Sequence, residues 1–233
     1  MRILRLYLQV ASRWRWGLLL VLILATLLVE PFLGQGPGPE LLTRILFALI
    51  VLGAMVAGRV PARARHANFV ILGIWLVLVL LHFAGRPYPQ AMAFSALVLL
   101  FGVIYITFHF LITHRESNVD AMVGAAAGYF LLALAWAVLF IQIENRTPGS
   151  FGLDTAGDPG GQLIYFSLVT VTTLGFGDIV PVSAPARILT AIAAASGTLY
   201  IAILIGSIVG RFQRPPDRGA ADPPTQEETD DGP

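Results

Sequence analysis

Apolar residues gather into six long stretches, at about 16–33, 41–58, 68–85, 91–113, 121–143 and 186–210. An α-helix needs about 20 such residues, with a range of about 17–25, to cross a hydrocarbon core about 30 Å thick. The pattern predicts six transmembrane helices, separated by breakers such as Gly34-Gln35-Gly36-Pro37-Gly38-Pro39, Arg59-Val60-Pro61 and Gly85-Arg86-Pro87-Tyr88-Pro89. A seventh apolar run, Gln162 to Thr172, has eleven residues. That makes three helical turns and about half a bilayer crossing, which predicts a re-entrant helix. It follows a polar, Gly/Pro-rich lead, Glu144 to Gly160, within the 42-residue segment 144–185. Residues 211–233 hold five Pro and six acids and are expected to form a disordered tail.

Composition agrees with a membrane protein. Of 233 residues 56% are hydrophobic and 12% charged, against roughly 25% charged in a soluble domain. Segments 45–58, 66–85, 87–114, 121–143 and 188–210 carry no charge. The net charge of +1 suggests no nucleic-acid partner, and the absence of Cys excludes disulfides and thiol chemistry. An N-terminal signal peptide is disfavoured, because Glu30-Pro31-Phe32 follows the first apolar run where a small-x-small site is needed. All fifteen basic residues are Arg. With the N-terminus inside, eleven (Arg2, Arg5, Arg13, Arg15, Arg59, Arg63, Arg65, Arg115, Arg211, Arg214, Arg218) lie on the cytoplasmic side and four (Arg44, Arg86, Arg146, Arg187) outside. That asymmetry predicts a multi-pass protein of the cell membrane with both termini cytoplasmic and 144–185 outside. Trp14 and Trp16 fit interfacial anchors at the start of the first span.

The chemistry lies directly after the short apolar helix, in Thr172-Thr173-Leu174-Gly175-Phe176-Gly177-Asp178. Irregular backbone at membrane depth is tolerated only where it is buried in protein or lines water. Stacked carbonyls aimed at one axis need backbone of alternating hand, and Gly175 and Gly177 supply positive φ without a Cβ penalty. The Thr173 hydroxyl adds an oxygen, and the helix before it would direct its negative C-terminal end at this turn. Every element offers oxygen to a hard cation.

This segment resembles the selectivity filter of the potassium-channel family, a T-V-G-Y-G-D run after a pore helix between two membrane helices. The resemblance covers 121–211 and implies an all-α membrane protein: six transmembrane helices plus a re-entrant pore helix and filter loop, assembled as a homotetramer with the pore on the fourfold axis. It implies K⁺ at the carbonyls of Thr173, Leu174, Gly175, Phe176 and Gly177, with Thr172, Asp178, Tyr165 and Phe166 as filter support and Gly197 as the hinge of the last helix. Leu174 replaces the commoner Val. Phe176 replaces Tyr and removes a hydroxyl that often ties the filter to the pore helix, so weaker selectivity or a less stable filter is expected. The implied organisation is an interfacial N-terminus over 1–15, a four-helix membrane domain over 16–115, a pore domain over 121–211 and a tail over 212–233.

Six spans with one pore loop resemble the layout of voltage-gated channels, yet the fourth span, Ala91 to Phe108, has no charge to move in a field. Weak or absent voltage dependence is expected. Arg44 is expected to snorkel to the outer interface. His82 and His109 either pack or titrate as pH sensors. Gly124-x-x-x-Gly128 and Gly206-x-x-x-Gly210 read as close helix contacts. Asn145-Arg146-Thr147 carries no functional weight. No cytoplasmic regulatory domain follows Arg211 within this sequence, and any accessory regulatory subunit is unspecified.

The leading reading is passive K⁺ conduction by a potassium-selective channel subunit with three further copies of itself in membrane lipid, with no enzyme activity and no cofactor beyond permeant K⁺. The alternatives are a weakly selective cation channel, a K⁺ transporter subunit, which would show several filter loops and repeats, and a silent subunit, for which a complete filter has little use. An intramembrane hydrolase lacks a partner acid for Asp178.

Overall fold

A computed structural model describes residues 15–34, 36–57, 62–86, 88–113, 119–154 and 157–212. The N-terminal arginines Arg2, Arg5 and Arg13, Trp14, and the expected tail from 213 onward lie outside these residues, as do Arg59 and Arg115. Seven helices are described: α1 (Arg15–Leu33), α2 (Pro37–Ala57), α3 (Ala62–Phe83), α4 (Pro89–Thr113), α5 (Val119–Arg146), α6 (Pro159–Val171) and α7 (Ala184–Phe212). Among the described residues there is no strand beyond an isolated bridge between Phe151 and Pro181.

Five helices, α2, α3, α4, α5 and α7, are long and apolar enough to cross a membrane, and α1 carries a shorter apolar stretch, Trp16–Val29. This is an all-α, multi-pass membrane protein. The helices begin ahead of the apolar stretches, and α2 and α3 end just short of them, because helix ends follow caps and turns rather than hydropathy. Gly34 takes a left-handed φ of 69° just past α1, as a C-terminal glycine does. Pro37 opens α2 with Glu40 in its first turn, where an acid suits the helix dipole. After α3 the amides of Gly85 and Arg86 return to His82 and Leu81 with Gly85 at φ 78°, closing that helix.

Helix α5 divides the interior in two. Ala127, Leu131 and Ala135, at four-residue spacing, form one stripe. They close a core with Trp16 and Leu19 of α1, Val51 of α2, Trp75 of α3 and Leu99 of α4. Ala133 and Phe140 face a second core made with Phe151, Leu163, Phe166 and Val171, and with Ala186 and Ala193 of α7. Both glycines of Gly124-x-x-x-Gly128 mark close approaches. A Cβ on Gly124 would lie 3.0 Å from the Trp16 ring, and one on Gly128 would overlap the Tyr200 hydroxyl. That hydroxyl donates to the Ala125 carbonyl at 2.6 Å, locking α7 to α5. The surroundings of Gly206 and Gly210 lie outside the described side chains.

Arg44 lies in the second turn of α2. Its side chain is 12% exposed and paired with Glu40. Its guanidinium donates to the Met92 sulfur at 3.3 Å and lies 5.3 Å over the Phe83 ring. A carboxylate one turn away and two neighbouring helices thus hold the guanidinium at this end of α2.

Candidate functional site

Helix α6 starts where an N-cap can form. Asp158 is extended and its carboxylate accepts from the Gly161 amide, with Pro159 in the first turn. The cap extends the helix three residues ahead of the apolar run that begins at Gln162. Ser167 anchors it laterally by donating to the Ala133 carbonyl of α5 at 2.6 Å. Phe166 is buried between Phe140 and Phe151, all three ring centroids 5.3 Å apart.

The last four carbonyls of α6, the groups a helix leaves unsatisfied, all have partners. Leu168 accepts from the Thr172 amide at 3.0 Å and the Thr172 hydroxyl at 2.7 Å. Val169 accepts from Leu174 at 2.9 Å and Gly175 at 3.4 Å, and Thr170 from Thr173 at 2.9 Å. Val171 accepts from the Tyr129 hydroxyl of α5 at 2.9 Å. In a trans peptide the N–H and the preceding C=O point oppositely. Amides 173, 174 and 175 turned back to the helix therefore turn the carbonyls of Thr172, Thr173 and Leu174 to the other side.

Backbone hand alternates along the same stretch. Thr173, Gly175 and Gly177 have φ of 58°, 55° and 80°, and Leu174 and Phe176 do not share it. The sequence pointed to the two glycines only. Thr173 was missed because a β-branched residue rarely takes positive φ, and the signal that finds it is the pair of helix carbonyls reclaiming amides 173 and 174. Residues 172–178 are exposed in the single chain, Leu174 at 59% and Phe176 at 66%.

Beyond the filter-like turn, Asp178 accepts a hydrogen bond from the Tyr165 hydroxyl at 2.7 Å. That bond holds its carboxyl below the usual carboxylate range and raises the tyrosine. The returning limb is laced to the segment after α5: Gly152 donates to Val180 at 3.0 Å and Val182 to Ser150 at 2.8 Å. Glu144, at the end of α5, organises that segment by accepting the amides of Gly149 at 2.7 Å and Phe151 at 3.0 Å. Residues 145–154 thus form a brace that the sequence analysis treated only as a polar lead. Gly197 of α7 faces the Val171 peptide. A Cβ there would lie 2.9 Å from the Val171 carbonyl carbon and overlap its oxygen, and α7 runs as one helix through this point.

The short helix α6 lies between α5 and α7 and is followed by carbonyls turned outward on backbone of alternating hand, an arrangement that can present oxygen atoms to a cation. Residues 127–214 match the ion channel family. The chain is 34% identical over 85 residues to the inward rectifier potassium channel Kirbac3.1 of Paramagnetospirillum magnetotacticum, covering 36% of this chain and 26% of that protein. It is 30% identical over 171 residues to the voltage-gated potassium channel Kch of Escherichia coli (strain K12), 64% of this chain and 39% of that protein. To the A-type voltage-gated potassium channel KCND3 of Rattus norvegicus it is 42% identical over 89 residues, 37% of this chain and 13% of that protein. The chain thus spans less than two fifths of each of these relatives. No solved structure matches. Over the matched part, residues 127–214, the chain is similar to ion channels, and these relatives are potassium channels.

Proposed function

We propose that the chain is a potassium-selective channel subunit, forming with three further copies a pore for passive K⁺ movement across the cell membrane. The carrying observation is the alternation of positive φ at Thr173, Gly175 and Gly177 together with amides 173–175 turned back onto α6. That arrangement leaves carbonyl oxygens free to replace the hydration shell of a dehydrated cation. In this reading K⁺ lies at Thr173, Leu174, Gly175, Phe176 and Gly177, with Thr172, Tyr165, Phe166 and Asp178 supporting them and Gly197 positioning the last helix. One chain supplies a quarter of the ring. Ile188, Ile192 and Leu199 on α7 are 63%, 50% and 60% exposed, an apolar face that suits contact with neighbouring copies about the axis. The chain crosses the membrane six times, with α1 as the first crossing and both termini cytoplasmic, and α4 carries no Arg or Lys to sense voltage.

The test is flux into proteoliposomes of the full chain. Rb⁺ flux without Na⁺ flux, insensitive to an imposed potential and lost in Gly175→Ala, is the expected result. Equal Rb⁺ and Na⁺ flux would favour the second reading, a weakly selective cation pore, which the missing hydroxyl of Phe176 supports.

A further inference from the structure

The outer ends of α2, α3 and α4 meet in a charged cluster that the conduction reading does not use. One oxygen of Glu40 receives both Arg44, from the next turn of α2, and the Nε2 of His82 at the end of α3, 3.4 Å away. The His82 Nδ1 is buried and has no hydrogen-bond partner. The ring of Phe83 meets the imidazole edge-on at 5.7 Å. From α4 the cluster receives Met92, which is uncharged, and past the end of α3 Arg86 is exposed. The same Glu40 and Arg44 line an open cavity of about 600 Å³ with Gly36, Pro39 and Thr43, and Asp158, the N-cap of α6, lines it too.

We propose that His82, Glu40 and Arg44 form a proton-operated contact between the peripheral helices and the start of the pore helix. With a neutral imidazole the three side chains sum to zero charge, and Nε2–H is the tautomer that can face the Glu40 oxygen. A proton taken from the outer solution converts the ring to imidazolium and the sum to +1. Nδ1 then carries an N–H with no acceptor beside it, and a buried unpaired donor is costly. Two cations now compete for one Glu40 oxygen. The acid facing them across the cavity is Asp158, whose carboxylate is engaged with the Gly161 amide. Attraction toward the cationic cluster draws that carboxylate off the amide, which uncaps the first turn of α6 and loosens the helix whose other end holds the filter amides. Acidification therefore reduces conduction. This inference rests on the channel reading above, because its output is flux.

The experiment compares Rb⁺ flux into proteoliposomes of the full chain at about pH 8 and about pH 5, the window in which histidine changes charge. Flux of the unaltered chain is expected to fall on the order of fivefold or more, the lower edge of ordinary coupling between sites. His82→Gln abolishes the fall. Asp158→Asn also abolishes it, because Asn caps a helix as well as Asp and only the charge is lost. His109→Gln retains it. Flux that is present but equal at both pH values, or a full response in His82→Gln, overturns the inference and leaves the channel reading standing. If no Rb⁺ flux occurs at either pH the channel reading fails, and the contact is then judged by hydrogen-exchange protection of the Gly161 amide, the donor to Asp158. Protection that is lower at about pH 5 than at about pH 8 in the unaltered chain but not in His82→Gln supports the proposal, and equal protection at both overturns it.

Discussion

The Tyr165 hydroxyl donates to Asp178 at 2.7 Å, joining the middle of α6 to the residue that follows the last glycine of the filter turn. The two lie thirteen residues apart in sequence, so the bond closes the whole turn into a loop with α6 on one side. The bond lowers the Asp178 carboxyl, with the Ile179 amide contributing in the same direction. A depressed folded-state value means that the stabilisation is complete above the ordinary carboxylate range and is lost only as pH falls through the depressed value. The filter should therefore keep its hold on Asp178 from pH 8 to pH 5 and lose it in stronger acid. Tyr165→Phe should return Asp178 toward the ordinary range and shift acid inactivation of Rb⁺ flux to higher pH. An acid limit unchanged in that variant would contradict the clamp.

Gly197 offers a contrast between two roles. If it served only to let α7 flex, Gly197→Ala would stabilise the helix by about 1 kcal/mol, the propensity difference between the two residues. In the structure a methyl there meets the Val171 peptide, and Val171 already accepts from Tyr129. The expected outcome is thermal destabilisation with loss of Rb⁺ flux. A raised Tm with retained flux would show that the contact is dispensable.

The legible parts of the molecule are those where one residue type has one physical use. Gly175 and Gly177 announce positive φ, the apolar stretches announce helices of crossing length, and the half-length run from Gln162 announces α6. What stayed hidden depends on pairing between distant segments. Nothing local in Thr173 marks it as left-handed, because the cause is the free carbonyls of Val169 and Thr170 one turn earlier. The contacts of Arg44 with Phe83 and Met92 stayed hidden because both residues come from other helices. Glu144 looked like a loop acid because the amides it binds, Gly149 and Phe151, follow a turn that no spacing rule fixes.

The Glu144 brace carries its own expectation. Hydrogen bonds to a charged group are worth about 1.5–3 kcal/mol each at well-shielded sites, less where water competes. Glu144→Gln keeps one acceptor oxygen for the Gly149 and Phe151 amides, and Glu144→Ala keeps none. Stability in thermal melts should fall in the order native, Gln, Ala, with the Ala variant about 1–3 kcal/mol below native. Phe151, 1% exposed between Phe140 and Phe166, should cost more, about 3–5 kcal/mol on truncation to Ala. Equal melts for Glu144→Ala and the native chain would remove Glu144 from the brace.

Voltage supplies the sharpest arithmetic. Each elementary charge carried through 100 mV is worth about 2.3 kcal/mol, so a steep conductance–voltage curve needs several charges on a moving helix. Helix α4 runs Pro89–Thr113 with no Arg, Lys, Asp or Glu, and α2 holds Arg44 already paired with Glu40, a neutral pair whose displacement moves no net charge. In planar bilayers, without blockers or divalent ions, conductance should change less than about tenfold, the yield of roughly 1.4 kcal/mol, over 100 mV. Introducing Arg at Leu99, Gly102 and Tyr105, three residues apart on α4, should not create gating either. Leu99 is fully buried against the core and Gly102 abuts Asn68, so charges there would unfold the helix packing before they sensed the field. A steep curve in the unaltered chain would mean that charge elsewhere moves, and Arg44→Gln would then be the first substitution to flatten it.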